Sequence, residues 1–283
     1  MLDDELIQVE NTLWVLAAPT GLRVYDFDFN LFLNCKHPWP RPNAIRAVAR
    51  VGVYNDYERR FNELAREGIT LVHSPEDHAR CSELPGWYPL LRDLTPKSVW
   101  FSQIPTAGEI GAVIGWPMFL KGQRQTSRHR RSLSIFDGPE SFQNAMESIK
   151  GDTILNWQGI VCRQYVPLRP VEDPIPDRIP SSFEFRTFWW RGRLVGCGRY
   201  WWEGRDYKME AAEQKEAIEI AGEAARRVAV QFLVVDVAQT KLGQWIVIEC
   251  NDGQESGYAG VPPLAMWQRV VAVENEIALN ASI

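Results

Sequence analysis

The sequence predicts an α+β protein of two or three lobes, and three observations carry that prediction. Hydrophobic residues make up 45% and charged residues 24%, ordinary for a soluble globular chain. A length of 283 residues suffices for one large or two modest cores. Strand-like runs alternate with helix-period segments throughout, with no internal repeat and no low-complexity tract.

Taken in order, Thr12 to Val15 and Leu22 to Phe29 read as strands, followed by the Pro-rich stretch HPWPRP as a linker. A β-α-β pattern comes next. Val51 to Tyr54 is strand-like, Asn55 with Glu58 makes a capping pair, and Tyr57, Phe61, Leu64 and Ala65 recur at helical spacing up to Gly68 and the strand ITLV. A small α+β lobe is expected from Lys97, with a helix ending at Gly115, the strand PMFLK and the polar, basic loop KGQRQTSRHRR. Asp137 and Glu140 then introduce a helix with Phe142, Ala145, Met146 and Ile149 on one face.

In the last part, IVCRQYV reads as a strand and a proline-rich crossing follows it. FEFRTFWW and RLVGCGRYWW form a strand pair joined at Arg191-Gly192. A long helix is expected from about Lys208 to Arg227, acidic early and basic late as the helix dipole favours. FLVVDVA and QWIVIEC close the pattern as a second hairpin. Lobes are therefore expected over residues 1–95, 96–158 and 159–283.

A net charge of -5 argues against a nucleic-acid scaffold, although Arg124 to Arg131 is locally basic. No apolar run approaches membrane-spanning length, and the acidic start is no secretory signal. Five scattered cysteines without a Cys-x-x-Cys pair suggest neither a zinc knot nor a disulfide framework, so a reducing cytoplasm is the expected location. No histidine pair stands at ligand spacing.

The most informative feature is a set of acids. A turn centred on Leu242-Gly243 pairs residues whose numbers sum to 485, which sets Asp236 opposite Glu249, with Asn251 on the same face as Glu249. Facing side chains are about 4.5–5.5 Å apart, and like charges there repel. Either the acids sit at frayed, solvated ends, or they share a cation, a proton or a basic neighbour. Oxygen ligands without His or Cys select a hard cation such as Mg²⁺. Arg186 lies on one face of FEFRTF with Glu184, where it would neutralise the acids, grip a phosphate or form a structural bridge. Lys121 ends an apolar strand and is either a ligand contact or a solvated lysine. The tandem tryptophans Trp189-Trp190 and Trp201-Trp202 read as stacking residues or as packing.

In this order the segments PMFLKG, CRQYV, FEFRTF and VVDV…IECND resemble the ATP-grasp fold over about residues 90–270. FEFRTFWWRG with IECNDGQESG resembles, more narrowly, the R-two-K clade of that superfamily. The resemblance implies two α+β lobes gripping ATP, preceded by a small α/β lobe. It implies phosphate contacts from Lys121, Lys97 and Ser127, and catalytic roles for Lys121 and Arg186, the latter at the γ-phosphate. Arg163, Gln164, Tyr165 and Val166 would frame the adenine, and Glu172 would reach the ribose. Asp236, Glu249 and Asn251 would hold Mg²⁺. Glu184, Arg199, Asp252, Glu255 and Ser256 would meet substrates, although the last three also read as an ordinary Gly-rich loop. Arg163 departs from the acid that many relatives carry, and GQRQTSRHRR departs from a glycine-rich lid.

The implied activity is that of an ATP- and Mg²⁺-dependent ligase joining a small-molecule carboxylate to an amine, amino acids and peptides included, through an acyl phosphate. A kinase on the same fold and a nucleotide-binding module without turnover are the alternatives. Neither membrane nor nucleic acid is expected as a partner, and the sequence does not fix the oligomeric state.

Overall fold

The computed structural model describes residues 5–10, 12–32, 43–54, 56–124, 130–173, 175–204 and 206–281. Its first part holds a four-stranded sheet of β1 (Glu5–Glu10), β2 (Leu13–Ala17), β3 (Ile45–Arg50) and β4 (Ile69–Leu71), in that order. β1 and β2 are antiparallel, and β2, β3 and β4 are parallel. α1 (Tyr57–Arg66) crosses between β3 and β4, and α2 (Pro75–Ser82) and α3 (Leu84–Trp87) follow.

Two strand expectations here are corrected. The strand placed at Val51–Tyr54 is instead Ile45–Arg50, a mixed run paired by two parallel neighbours and buried on one face against α1 and on the other in the cluster that holds Trp267. Residues 22–29 form turns rather than a strand. There the Asp26 carboxylate accepts from Thr20 N, Thr20 Oγ1 and Gly21 N at 2.8, 2.8 and 3.0 Å, a local alternative to a ladder. α1 is capped by Asp56, which accepts from Arg59 N at 3.0 Å. Asn55 and the HPWPRP stretch lie outside the described residues.

The second part is a sheet in the order β5-β8-β6-β7: β5 (Ser98–Phe101), β6 (Met118–Gly122), β7 (Ile135–Phe136) and β8 (Ile160–Gln164). α4 (Ala107–Val113) and α5 (Pro139–Lys150) cover one face, where Met118, Leu120, Ile160 and Cys162 are buried with Ile110, Phe142 and Ile149. The period-2 alternation therefore sends Phe119, Lys121 and Arg163 to the opposite face.

β9 (Glu184–Trp190), β10 (Arg193–Arg199), β11 (Phe232–Gln239) and β12 (Trp245–Asp252) form the third sheet, ordered β10-β9-β11-β12 and wholly antiparallel. β9 and β10 meet at Arg191-Gly192, both with positive φ (48° and 74°), as a two-residue hairpin turn requires. α6 (Ala211–Val228) begins three residues after the expected Lys208 and packs Ala217, Ala221, Ala224 and Val228 against Val235, Val237 and Val247. α7 (Pro263–Ala281) joins the first sheet on the other face, where Trp267 and Val270 meet Phe188, Trp190 and Val234. Both faces of this sheet are thus covered along most of its length, leaving one end of one face for polar chemistry. No helix among the described residues is long and apolar enough to cross a membrane, and the four described cysteines are free.

Candidate functional site

β11 and β12 bring Asp236 opposite Glu249, and β9 brings Arg186 opposite Asp236 from the other side. The route to that register differs from the simple turn. Thr240 and Gln244 exchange hydrogen bonds around a three-residue loop, Lys241 to Gly243, so the hairpin starts with Gln239 opposite Trp245. That register would continue to set Ile248 opposite Asp236. A bulge intervenes: Asp236 pairs with Glu249 and Val237 with Val247, leaving Ile248 as the extra residue. The longer loop and the bulge offset each other, which is why plain turn arithmetic reaches the right pair.

Neither acid is left to repel the other. Arg186 grips Asp236 with two bonds, Nε to Oδ1 at 2.9 Å and Nη2 to Oδ2 at 2.7 Å, and gives its Nη1 to the Gly257 carbonyl at 2.8 Å. Lys121 Nζ pairs with Glu249 Oε2 from the facing lobe. Asn251 Nδ2 donates to Glu249 Oε1 at 2.7 Å. Burial works to raise Glu249, but Lys121, with Asn251 and Arg186, outweighs it and holds the carboxyl below its ordinary value. Asp236 is 1% exposed, and burial raises its carboxyl although Arg186 opposes the shift. Glu184, next on the same face of β9, accepts from Ser182 Oγ at 2.9 Å and Trp201 Nε1 at 3.2 Å. Burial first, and then Asp236, push it up to about 8. The face therefore gathers three acids in a place with little water, two of them held by single cationic partners. Two carboxylates and an amide, all oxygen donors on adjacent strands, fit a hard divalent cation.

A cavity of about 340 Å³ opens in front of them. Its apolar walls are Phe119, Ile135, Ile246, Ile248 and the Tyr165-Val166 segment that follows β8. The lining also carries Glu172, Asp173, Ser181 and Lys241, and with them Lys121, Glu184, Tyr200, Trp201, Asp236 and Glu249. Among the described residues no partner is found for the Val166 N–H, whereas those of Gln164 and Tyr165 go to the carbonyls of Lys97 (2.8 Å) and Pro117 (3.3 Å). A slot that joins apolar walls to a lysine and to carboxylates able to hold a divalent cation matches a nucleoside polyphosphate bound with its metal.

Residues 115–270, which supply most of this lining, match the ATP-grasp domain of the R-two-K clade, family 3. The chain belongs to that family. Its fold is shared with solved structures of low identity. D-alanine–D-alanine ligase from Bacillus anthracis complexed with ATP gives a TM-score of 0.57 at 12% identity, over 81% of this chain and 76% of that one. VanG D-Ala:D-Ser ligase from Enterococcus faecalis gives 0.53 at 16%, over 77% and 65%. A RimK domain ATP-grasp protein from Sphaerobacter thermophilus gives 0.50 at 14%, over 74% and 72%. No curated protein matches the sequence.

Several residues expected at the ATP-grasp site stand elsewhere. Lys97 is exposed and does not line the cavity, and Ser127 lies outside the described residues. Arg186 does not line it either; it stands behind Asp236, with its guanidinium over the Tyr200 ring at 5.0 Å. Arg163 lines the cavity but spends Nε on Ser98 Oγ (2.9 Å) and Nη1 on the Ile248 carbonyl (2.6 Å). Arg199 pairs with Asp206 away from it.

The expected substrate residues Asp252, Glu255 and Ser256 are corrected by their partners. Asp252 faces away from the cavity and is fully committed: Oδ2 accepts from His73 Nδ1 (2.9 Å) and His78 Nδ1 (3.0 Å), and Oδ1 from Gln254 N (2.7 Å). Burial would raise it, but the two histidines hold it far below the ordinary carboxylate range. Glu255 accepts from Tyr54 N and Arg124 Nη2, each at 2.9 Å. Ser256 Oγ donates to the Asp252 carbonyl at 2.7 Å. Arg50 gathers the carbonyls of Gly253, Gln254 and Ser256 at 2.8, 3.1 and 2.8 Å. The first lobe thus braces the loop that follows Asn251. His73, Cys81 and Asp252 lie close enough together to suggest a metal. Phe232 N donates to His73 Nε2 at 2.9 Å, however, so Nδ1 carries the proton given to Asp252 and has no lone pair for an ion.

Sequence reasoning missed Tyr200, Ser181 and Lys241, which long crossings and a turn bring to the cavity. The tandem tryptophans divide: Trp189 and Trp190 are core, and Trp201 lines the cavity.

Proposed function

We propose that this chain is an ATP- and Mg²⁺-dependent carboxylate–amine ligase. The observation that carries this reading is the continuous cavity running from the Tyr165-Val166 link to Lys121, Asp236 and Glu249. The apolar walls take the adenine and the Val166 N–H its edge, with Glu172 and Ser181 at the ribose. The lobes 96–158 and 159–283 grip the nucleotide between them, and 1–95 braces the loop at 252–257. Asp236, Glu249 and Asn251 hold Mg²⁺, which neutralises charge developing on the phosphates during transfer.

Lys121 now rests on Glu249, and a bound polyphosphate gives it a second anion while Mg²⁺ meets the carboxylate. Arg186 fixes both oxygens of Asp236 and so orients this ligand before anything binds. An oxygen of the substrate carboxylate attacks the γ-phosphorus, the bond to the β-phosphate oxygen breaks, and ADP leaves. The amine nitrogen then attacks the acyl carbon, the C–O bond to phosphate breaks, and the amine gives up a proton as the amide forms. Glu184 stands on the site's face with its carboxyl raised to about 8, a group that holds a proton at neutral pH and can pass it on.

ADP release from the purified chain is the direct test, with pooled amino acids and small carboxylates supplied alongside pooled amines. Release that needs both an acid and an amine supports the ligase. A hydroxamate formed when hydroxylamine replaces the amine identifies the acyl phosphate, whereas a stable phosphorylated product assigns a kinase instead. Nucleotide binding without ADP across the pools would leave a binding module.

A further inference from the structure

Three neighbours on β12 break the alternation of a strand. Ile246, Ile248 and Glu249 all line the cavity, while Val247 and Cys250 lie in the core against α6. In an uninterrupted strand, 246, 248 and 250 share one face, and 247, 249 and 251 share the other. Glu249 and Asn251 would then point with Val247 into the core, and Cys250 would face the nucleotide. The extra residue at Ile248 reverses this parity. One residue therefore allows the same strand to wall the base with isoleucines and to present acids at the phosphates.

Such a bulge leaves a backbone group without its ladder partner, and a buried unpaired carbonyl is costly. Here the Ile248 carbonyl accepts from Arg163 Nη1 at 2.6 Å. Arg163 is itself held by Ser98 Oγ on Nε at 2.9 Å and lies 5.7 Å from the Trp87 ring centroid. The residue before the bulge is pinned as well: Val247 N donates to the Leu94 carbonyl at 2.8 Å, and the Val247 carbonyl accepts from Thr95 Oγ1 at 2.8 Å. A guanidinium suits the bulge because its fork spans β5 and β12 while one nitrogen, Nη2, stays buried without a partner among the described residues.

We propose that Arg163 is a positioning residue that pins the Ile248 bulge and thereby turns Glu249 from the core into the nucleotide cavity, with Asn251 bonded to it on the same face. It acts on the metal ligands through the β12 backbone, rather than on the base as its place in the hinge strand first suggests. The inference rests on the reading of Asp236, Glu249 and Asn251 as the ligands of a divalent cation.

The test uses the full chain, with Mn²⁺ as the probe, read by electron paramagnetic resonance with a non-hydrolysable ATP analogue. Competition by ATP and GTP analogues is measured in parallel. Arg163→Met is expected to weaken Mn²⁺ binding about tenfold or more, as loss of an outer-shell partner does, with the ATP-to-GTP preference unchanged. Ser98→Ala, which removes only the support behind Arg163, should shift Mn²⁺ binding in the same direction by a smaller factor, and it carries the test should Arg163→Met not fold. Arg163→Lys should restore part of the loss. Folded variants that bind Mn²⁺ like the wild type would overturn the proposal. So would an altered ATP-to-GTP preference at unchanged Mn²⁺ affinity, which would make Arg163 a base contact. A wild-type chain that binds no Mn²⁺–nucleotide would remove the ligand assignment itself and this inference with it.

Discussion

The β11–β12 hairpin and the loop after it carry two pairs of acids, and their fates differ. Glu249, with Asp236 across the ladder, faces a cavity and is balanced by Lys121 and Arg186. Asp252 and Glu255 face the first lobe and are balanced by His73, His78 and Arg124, with neither lining the cavity. Lys121 stands beside space that a polyphosphate and a metal can fill, so its bond to Glu249 can be exchanged, whereas Arg186 holds Asp236 from behind. The second pair's partners leave no such space, so their bonds hold the fold. A carboxylate's role here follows from the face it is given, and three residues along one chain suffice to change it.

Asp236→Asn tests this contrast most severely, because Asp236 belongs to both categories. It should lose divalent-dependent nucleotide binding and also cost about 3 kcal/mol of stability, since a buried Arg186 is left without its anion. Denaturant titration and Mn²⁺ binding measured on one preparation check both effects. Asp252→Asn should lose a similar about 3 kcal/mol in denaturant but keep nucleotide affinity in the folded protein. The Asp252 carboxyl is depressed in the folded state, so its stabilisation is present above the ordinary carboxylate range and disappears as pH falls through its folded value. Equal loss of binding in the two variants would erase the distinction between the pairs.

Glu249→Gln removes a proposed metal ligand at a less buried position. We expect a loss of Mn²⁺–nucleotide affinity of about 100-fold, at the upper end of what even outer-shell changes produce, together with a loss of stability because buried Lys121 is left without its anion. The two lysines give a gentler comparison. Lys121→Ala should weaken ATP-analogue binding about tenfold, the worth of one charge-assisted contact, and the exposed Lys97→Ala less than about twofold, as calorimetry would show. The smallest effect concerns pH. Glu184 is raised to about 8 in the fold, so between its unfolded value and about 8 the native state holds the extra proton. Metal-free stability should fall as pH rises through that window, and Glu184→Gln should flatten the slope in thermal melts from about pH 5 to 8.

Much of this was legible without coordinates, because it depends on local order. Residue types and spacing gave the Asp-Glu-Asn set, the lysine ending β6 and the Arg on β9. The pairing of Asp236 with Glu249 was reached through two offsetting departures, a three-residue loop and a bulge, and neither leaves a mark in the pattern of apolar residues. The strand at 45–50 escaped because IRAVAR has no clean alternation, and only parallel neighbours on both sides make it a strand.

By itself, the sequence determined the fold class, the family and the acids of the site, since periodicity and motif spacing are properties of the chain. The tertiary structure alone decided that Asp252 is a brace, that Lys97 stands outside the cavity and that Arg186 stands behind Asp236. It also decided that Arg163 reaches Ile248 rather than open space. The physical reason is common to the three buried groups, Asp252, Arg186 and Arg163. Each depends on which side chain from a distant segment fills the space beside a charge, and burial leaves that charge no other partner.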